Sequence, residues 1–435
     1  MESISRQLYH LLEEKSVAEN DLEDARLFML DWMGCYAAGT VTNQGEILSR
    51  WNSKWAGTGL LQEVFLMAAH SHITETDDLH RASVTHPACV VFPVSWHLTR
   101  FLKKSFTECL LASLYGYEVM CRVGEGVGPG HYKIFHNTAT TGVFGAAAAA
   151  SKLLELSEDR FVWAMGNAGT QAAGLWQFNE DAAMSKHLHA GHAAEAGLKA
   201  ALLAAENFTG AEKIFEGKKG FFEGFCPDPN PGAVTKPSDG WKLSETSIKP
   251  YPSCRHTHPA IDAALEIRQK NEDSKIPTKE IESIDITTYE TALRITDNPM
   301  PDSTFAAKFS IQYCVSLALE KGFPVLQHFE GNQLDSQRAS ELISKITVRT
   351  GKEFEDAFPR HWGAQIIVKM AKSESVSVIK SAKGDPENPL NKEELIKKFK
   401  GLMNYAGVEN DRSSMISDWI LHSDPEDLIP ELIIK

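Results

Sequence analysis

Apolar positions in the first 240 residues recur at helical spacing. Over residues 21–39, Leu22, Ala25, Met29, Trp32, Met33 and Tyr36 mark one face, and Gly39 reads as a stop. Residues 106–123 repeat the pattern with Leu110, Leu111, Leu114, Tyr115, Val119 and Met120. The run HNTATTGVFGAAAAASKLLEL follows, with Asn137 or Thr138 placed to cap and an Ala/Gly face suited to close helix packing. Ser157, followed by Glu158 and Asp159, opens another helix, and residues 189–207 form a further Ala-rich one. Nothing in this half alternates convincingly as strand.

The texture changes after the Pro/Gly/Asp-rich loop at residues 224–241. Residues 259–271 and 305–320 read as helices. Residues 281–289, 346–350, 365–371 and 375–381 read as strands. Gly384-Asp-Pro-Glu-Asn-Pro then breaks the pattern, and Asn391 caps a polar helix running to Tyr405. The expected fold is mainly α with an α+β part. A large all-helical domain (1–245) is interrupted by a smaller α+β domain (246–383) and resumes at 384–435.

The 435 residues exceed one usual domain, and 43% hydrophobic with 23% charged residues is ordinary for a soluble globular chain. A formal net charge of −14 argues against nucleic acid and anionic membrane as partners, since both need clustered Lys and Arg. The N-terminus has neither an apolar signal core nor the Arg-rich character of a transit peptide, and no apolar run reaches spanning length. Seven scattered cysteines without a CxxC suggest free thiols in a reducing cytoplasm.

The chemistry concentrates in residues 69–94, AHSHITETDDLHRASVTHPACVVFPV, which hold His70, His72, Glu75, Asp77, Asp78, His80, Arg81 and His86. So many ionisable groups suit neither a core element nor an ordinary loop; a cleft wall facing a ligand accommodates them. Imidazole takes and returns protons near neutral pH, and Pro87 holds the backbone extended at His86. A solvated loop with satisfied histidines is the plainer alternative. The ligand types also suit a metal, but the spacing matches no metalloprotease or EF-hand pattern, so no metal is expected.

Three further places carry positive groups. His136 precedes the Ala-rich helix, whose N-terminus suits a carboxylate, although capping alone explains the Asn and Thr there. Lys186 and His189 are three apart and share a helical face; a solvated lysine is the commoner fate. Residues 249–259, KPYPSCRHTHP, place Lys249, Arg255, His256 and His258 where the texture changes, as a ligand site or as a rigid linker. Tyr313 reads as an ordinary helix aromatic. Together these suit a small anionic polycarboxylate and proton transfer α to one carboxylate, with positive groups stabilising the enolate-like intermediate. The absence of GxGxxG, Walker and GxSxG motifs removes nucleotide and serine-hydrolase readings.

HITETDDLHRASVTHPACVVFPV, GNAGTQAAGLWQF with SKHLHAGHAAEAGLKAALLAAENFTG, KPYPSCRHTHPAIDAAL and KGDPENPLNKEEL resemble, in that order, segments of the MmgE/PrpD family across nearly the whole chain. The resemblance implies a discontinuous helical domain, an α+β lid, a homodimer and cofactor-independent chemistry on polycarboxylates. Activities in that family include 2-methylcitrate dehydration, cis-aconitate decarboxylation and iminodisuccinate epimerisation. By motif match its site residues fall on Asp77 or Asp78, His86, His136, Lys186, Lys249 and Tyr313. Glu75 stands where the decarboxylase and dehydratase branches usually have Asp, and Leu79 where Thr is frequent. His80 and Arg81 follow the acid pair as a candidate specificity element, with Arg255 and His258 as further substrate contacts. The expected activity is a hydro-lyase of the 2-methylcitrate dehydratase type, with epimerisation or decarboxylation as alternatives sharing the same anion. A polycarboxylate-binding dimer without catalysis is the non-enzyme alternative.

Overall fold

The computed structural model describes residues 2–181, 183–270, 276–338 and 340–431. It is mainly helical and divides into two compact units, residues 1–246 with 391–435 and residues 247–390.

The first unit is built around helix Asn137–Leu153, in which every residue but Lys152 is buried. Its neighbours are helices Phe106–Gly126 and Lys186–Ala205. The small residues set the spacing. A Cβ on Gly145 would lie 2.6 Å from Met120 Cβ, and one on Gly197 would lie 2.4 Å from Ala146 Cβ and from the Val143 carbonyl. Helices at that distance exchange dispersion contacts along their whole length, which explains the Ala/Gly face.

Helix Glu19–Thr40 covers another side, and helix Lys392–Tyr405 packs on it where Gly34 meets Phe399 and Leu402. Asn391 caps the latter helix, its Oδ1 accepting from the Glu394 amide while the Glu394 carboxylate accepts from the Asn391 amide, both at 2.8 Å. All seven cysteines are free and buried. Among the described residues no helix is long and apolar enough to cross a membrane.

The second unit is a four-stranded sheet with helices on it. Strands β1 (Ile281–Thr288), β2 (Ile346–Thr350), β3 (Ala364–Met370) and β4 (Ser373–Ile379) lie in the order β2-β1-β3-β4. The β1–β2 pair is parallel and the other two are antiparallel. Ile284 and Ile286 alternate inward, opposite Val368 and Ile366 on β3. Helices His258–Gln269 and Ile311–Lys321 supply the rest of this core.

Several local expectations need correction. The helix expected over 305–320 is two, Thr304–Lys308 and Ile311–Lys321, because Ser310 turns out of helical geometry and caps the second by accepting from the Tyr313 amide at 3.0 Å. The expected helix end at 271 lies outside the described residues. Residues 384–390, expected with the returning helical segment, cluster with the second unit. The Ile248 amide donates to the Gly384 carbonyl at 2.9 Å, and Asp385 accepts from Ser247 and Arg255. These bonds fasten residues 384–390 to the second unit.

Candidate active site

Helix Leu60–Ser71 ends at His72, and the chain then makes a tight turn before helix Ala88–Leu102. The Thr74 and Thr76 hydroxyls bond to each other at 2.6 Å, and Glu75 takes a left-handed conformation, φ 60°. A non-glycine residue there is strained and is held by its surroundings. Asp77 follows, fully buried.

The Asp77 carboxylate Oδ2 lies 2.6 Å from His72 Nδ1 and 3.4 Å from His86 Nδ1. His86 Nδ1 also lies 2.5 Å from the Asp78 carbonyl, and the His86 amide donates to Thr138 Oγ1 at 3.1 Å. A carbonyl only accepts, so His86 Nδ1 carries its proton and Nε2 is the basic nitrogen of the neutral ring. The same logic applies to His72. Its Nε2 is buried and has no hydrogen-bond partner among the described residues.

Two more imidazoles complete the group. His136 stacks on His72, with centroids 5.6 Å apart and planes within 15°, and lies 6.5 Å from the His86 ring. Its Nδ1 is 3.2 Å from His189 Nδ1. The edges of Trp176 and Phe178 close over it at 5.1 and 5.9 Å. Burial, and then the neighbouring His72, His189 and Lys186, push the His136 pKa well below the usual imidazole range. Burial, reinforced by His72 and Lys186, lowers that of His189 to about 4. Both rings are therefore neutral near pH 7, as proton acceptors must be.

Lys186 is not a solvated lysine. It opens its helix, is buried, and its ammonium contacts the Glu75 carboxylate directly. His189 lies one turn further on. The site thus sets one lysine and four histidines against Asp77 and Glu75 inside the first unit. His72, Asp77 and His86 place donor atoms within 4.8 Å of one another, a spacing a metal ion could use. Both Nδ1 atoms already direct their hydrogens at oxygens, however, so the arrangement is a hydrogen-bonded relay in which ring orientation and tautomer are fixed.

Several other expected site residues make their contacts outside this group. Asp78 does not face the imidazoles with its side chain. Oδ1 accepts from the Ala88 amide at the start of a helix and Oδ2 from the Tyr117 hydroxyl, at 3.1 and 2.8 Å. Burial and the adjacent Asp77 raise its carboxyl well above the usual range. His80 turns away to a separate cluster. Its Nδ1 bonds to Ser83, and its Nε2 lies 3.7 Å from both Glu125 and Glu245, which Lys242 bridges at 2.9 Å each. His80 and then Lys242 lower the Glu245 carboxyl to about 2. Arg81 is buried in the same turn. The capping expectation at Asn137 also changes. His136 is the N-cap residue, and the Asn137 amide donates to the Ser83 carbonyl at 2.7 Å.

In the second unit Lys249 is buried. Arg255 donates to Asp385 at 2.5 Å, to His258 Nδ1 at 2.8 Å and to the carbonyls of residues 382 and 383. His258 Nε2 bonds the Ser253 carbonyl. Arg255 and His258 are thereby committed to holding residues 253–258 against residues 382–385. Tyr313 sits in the core, its hydroxyl donating to the His328 carbonyl at 2.6 Å.

The MmgE/PrpD N-terminal domain matches residues 8–233, and the MmgE/PrpD C-terminal domain matches residues 251–422. The chain belongs to the MmgE/PrpD family. Among its relatives is the cis-aconitate decarboxylase-like protein oryM of Aspergillus oryzae, 26% identical over 97% of this chain and 94% of that protein. The human cis-aconitate decarboxylase is 28% identical over 78% of this chain and 74% of its own length. The mouse protein of the same name is 30% identical over 65% and 59%.

The sequence of this MmgE/PrpD chain marked His72 and Glu75 only as members of a charged stretch and His189 only as sharing a helical face with Lys186. It gave none of the three a role, and it did not show that Asp77 pairs with His72, Glu75 with Lys186 or His136 with His189.

Proposed function

We propose that this MmgE/PrpD protein is a cofactor-independent lyase acting on a small tricarboxylate. The observation that carries the reading is the Asp77 carboxylate shared between His72 and His86, which fixes the orientation of both imidazoles beside a buried lysine. Names of relatives that act on cis-aconitate support a tricarboxylate substrate.

In the elimination reading, of the 2-methylcitrate dehydratase type, His86 Nε2 takes the proton α to a carboxylate. The C–H electron pair becomes the second bond of the alkene, the C–O bond breaks, and the hydroxyl leaves as water with the proton that His86 Nε2 has just taken, so the imidazole ends neutral. Lys186 exchanges Glu75 for the substrate carboxylate and stabilises the charge that develops there. Decarboxylation is the second reading, favoured by the relatives' names. The C–C bond to one carboxylate breaks, carbon dioxide leaves, the electron pair stays on carbon, and carbon takes a proton that His86 relays from water.

Metal-free protein incubated in D2O with 2-methylcitrate, citrate, cis-aconitate and an iminodisuccinate, followed by NMR, separates these outcomes. Water loss supports elimination and carbon dioxide loss supports decarboxylation. Deuterium exchange without either makes the protein an epimerase. Activity abolished by a chelator, or no turnover and no exchange, overturns the proposal.

A further inference from the structure

The turn carrying Asp77 is held from behind by a buried ion pair that the chemistry above does not use. Lys398, on helix Lys392–Tyr405, has 7% of its side chain exposed, and Asp31, on helix Glu19–Thr40, has 1%. Their ammonium and carboxylate are in direct contact. The Lys398 ammonium also donates to the Thr76 carbonyl at 2.7 Å, one residue before Asp77. Thr76 adds a second tether, its hydroxyl reaching Cys35 Sγ at 3.2 Å, one helical turn from Asp31. The close approach of the two helices at Gly34 makes this reach possible.

Charge points the same way. Asp31, Asp77 and Asp78 are all essentially inaccessible to solvent. Asp78 feels Asp77 and, more weakly, Asp31, and the Cys35 thiol is raised by burial and Asp31 but lowered by Lys398. The groups gathered here are Asp31 and Cys35 from one helix, Thr76, Asp77 and Asp78 from the turn, Tyr117 from helix Phe106–Gly126, and Lys398. Lys398 is the cation among these acids. A buried ion pair is a poor device for stability alone, because desolvation consumes most of what attraction returns. An apolar contact would join the two helices as well.

We propose that Lys398 and Asp31 are positioning residues. Lys398 fixes the Asp77 turn through the Thr76 carbonyl, and the balance of the two charges sets the proton affinity of the His72–Asp77–His86 relay. The inference rests on that relay being the proton-transfer group.

The test is imidazole titration by 1H–15N NMR in the full chain, comparing wild type, Lys398→Met, Asp31→Asn and the double variant. The His72 and His86 signals are assigned by His→Gln substitution, and exposed His10 serves as a control. Removing the cation raises the His86 titration by about half a pH unit, removing the anion lowers it by a similar amount, and the double variant returns near wild type. His10 stays in place. On whichever substrate turns over, kcat of Lys398→Met falls roughly tenfold with KM nearly constant, and the acidic limb of the pH profile moves with the NMR shift.

Shifts of the same sign, or none, in folded variants overturn the proposal even if the melting temperature falls. If Lys398→Met does not fold, Asp31→Asn and Lys398→Arg still decide. The former moves the titration downward, and the latter keeps it while lowering kcat. A wild type that turns over no tricarboxylate defeats the proposed function, while the titrations still decide whether the pair tunes the relay.

Discussion

Residues 70–86 and 249–259 both crowd imidazoles and cations into a short span, and both read as ligand sites in the sequence. Within their own units they behave differently. In 249–259, Arg255 donates to a carboxylate, a ring nitrogen and two carbonyls, and both His258 nitrogens are engaged. In 70–86, Asp77 orients two imidazoles by Nδ1 alone, and the His72 Nε2 is left without a partner among the described residues. Charge density does not separate the two stretches. For Arg255 and His258 against His72, remaining hydrogen-bonding capacity does: the former pair uses its ring nitrogens and donors to hold the chain, and His72 keeps a nitrogen beside Asp77 and His86 that can do chemistry.

The contrast breaks most visibly at the relay. His86→Gln and Asp77→Asn should each lower kcat by about 10²–10⁴-fold while the melting temperature changes little. Unfolding of both variants would place the relay among the structural networks. Arg255→Met should do the converse. It leaves Asp385 as a buried carboxylate without its guanidinium, and should cost about 3–5 kcal/mol in denaturant unfolding. Activity should survive wherever the protein remains folded; a selective fall in kcat would return Arg255 to the site. Tyr313→Phe should have a smaller effect. It removes one buried hydrogen bond and should cost about 1 kcal/mol of stability, with kcat unchanged. A large kcat loss would restore Tyr313 as a proton donor.

How much of this was legible follows from where the partners lie. Helical period revealed the helices over 21–39, 106–123 and 189–207 but not Leu60–Ser71 or Ala88–Leu102, which flank the site, and the Ala/Gly face of residues 137–153 announced close packing before any partner was known. Asn391 was legible as a cap because its partner Glu394 is three residues away. The role of Asp78 was not, because the Tyr117 hydroxyl that claims it is 39 residues distant. The counter-ion of Lys186 was not legible, because Glu75 is 111 residues away and sits on a left-handed turn without a glycine. His72 shared its stretch with seven other ionisable groups, and only three-dimensional proximity to Asp77 distinguishes it from His70, whose ring bonds the Gly45 carbonyl.

The histidines also separate site from scaffold through pH. His189 is lowered to about 4 in the folded protein, against an ordinary imidazole near 6.5. Between those values the unfolded chain binds a proton that the folded chain refuses, so stability rises with pH across the window and is lost as pH falls from about 6.5 toward 4. His256 in the second unit is lowered further by burial, to about 3, and its Nδ1 bonds the Tyr289 hydroxyl at 2.6 Å. It should weaken the protein over the same upper limit and to a lower pH. The two differ in what else they touch. His189→Gln should flatten the acid loss of stability and also alter the pH–rate profile, because His189 Nδ1 faces His136. His256→Gln should flatten the stability curve and leave the rate profile of the surviving enzyme unmoved. Denaturant midpoints and kcat measured from pH 4 to 8 on both variants check this. A rate profile that moves equally in the two would mean that neutral buried imidazoles serve the fold alike in both places, and that the reserve of basic nitrogen does not mark the site.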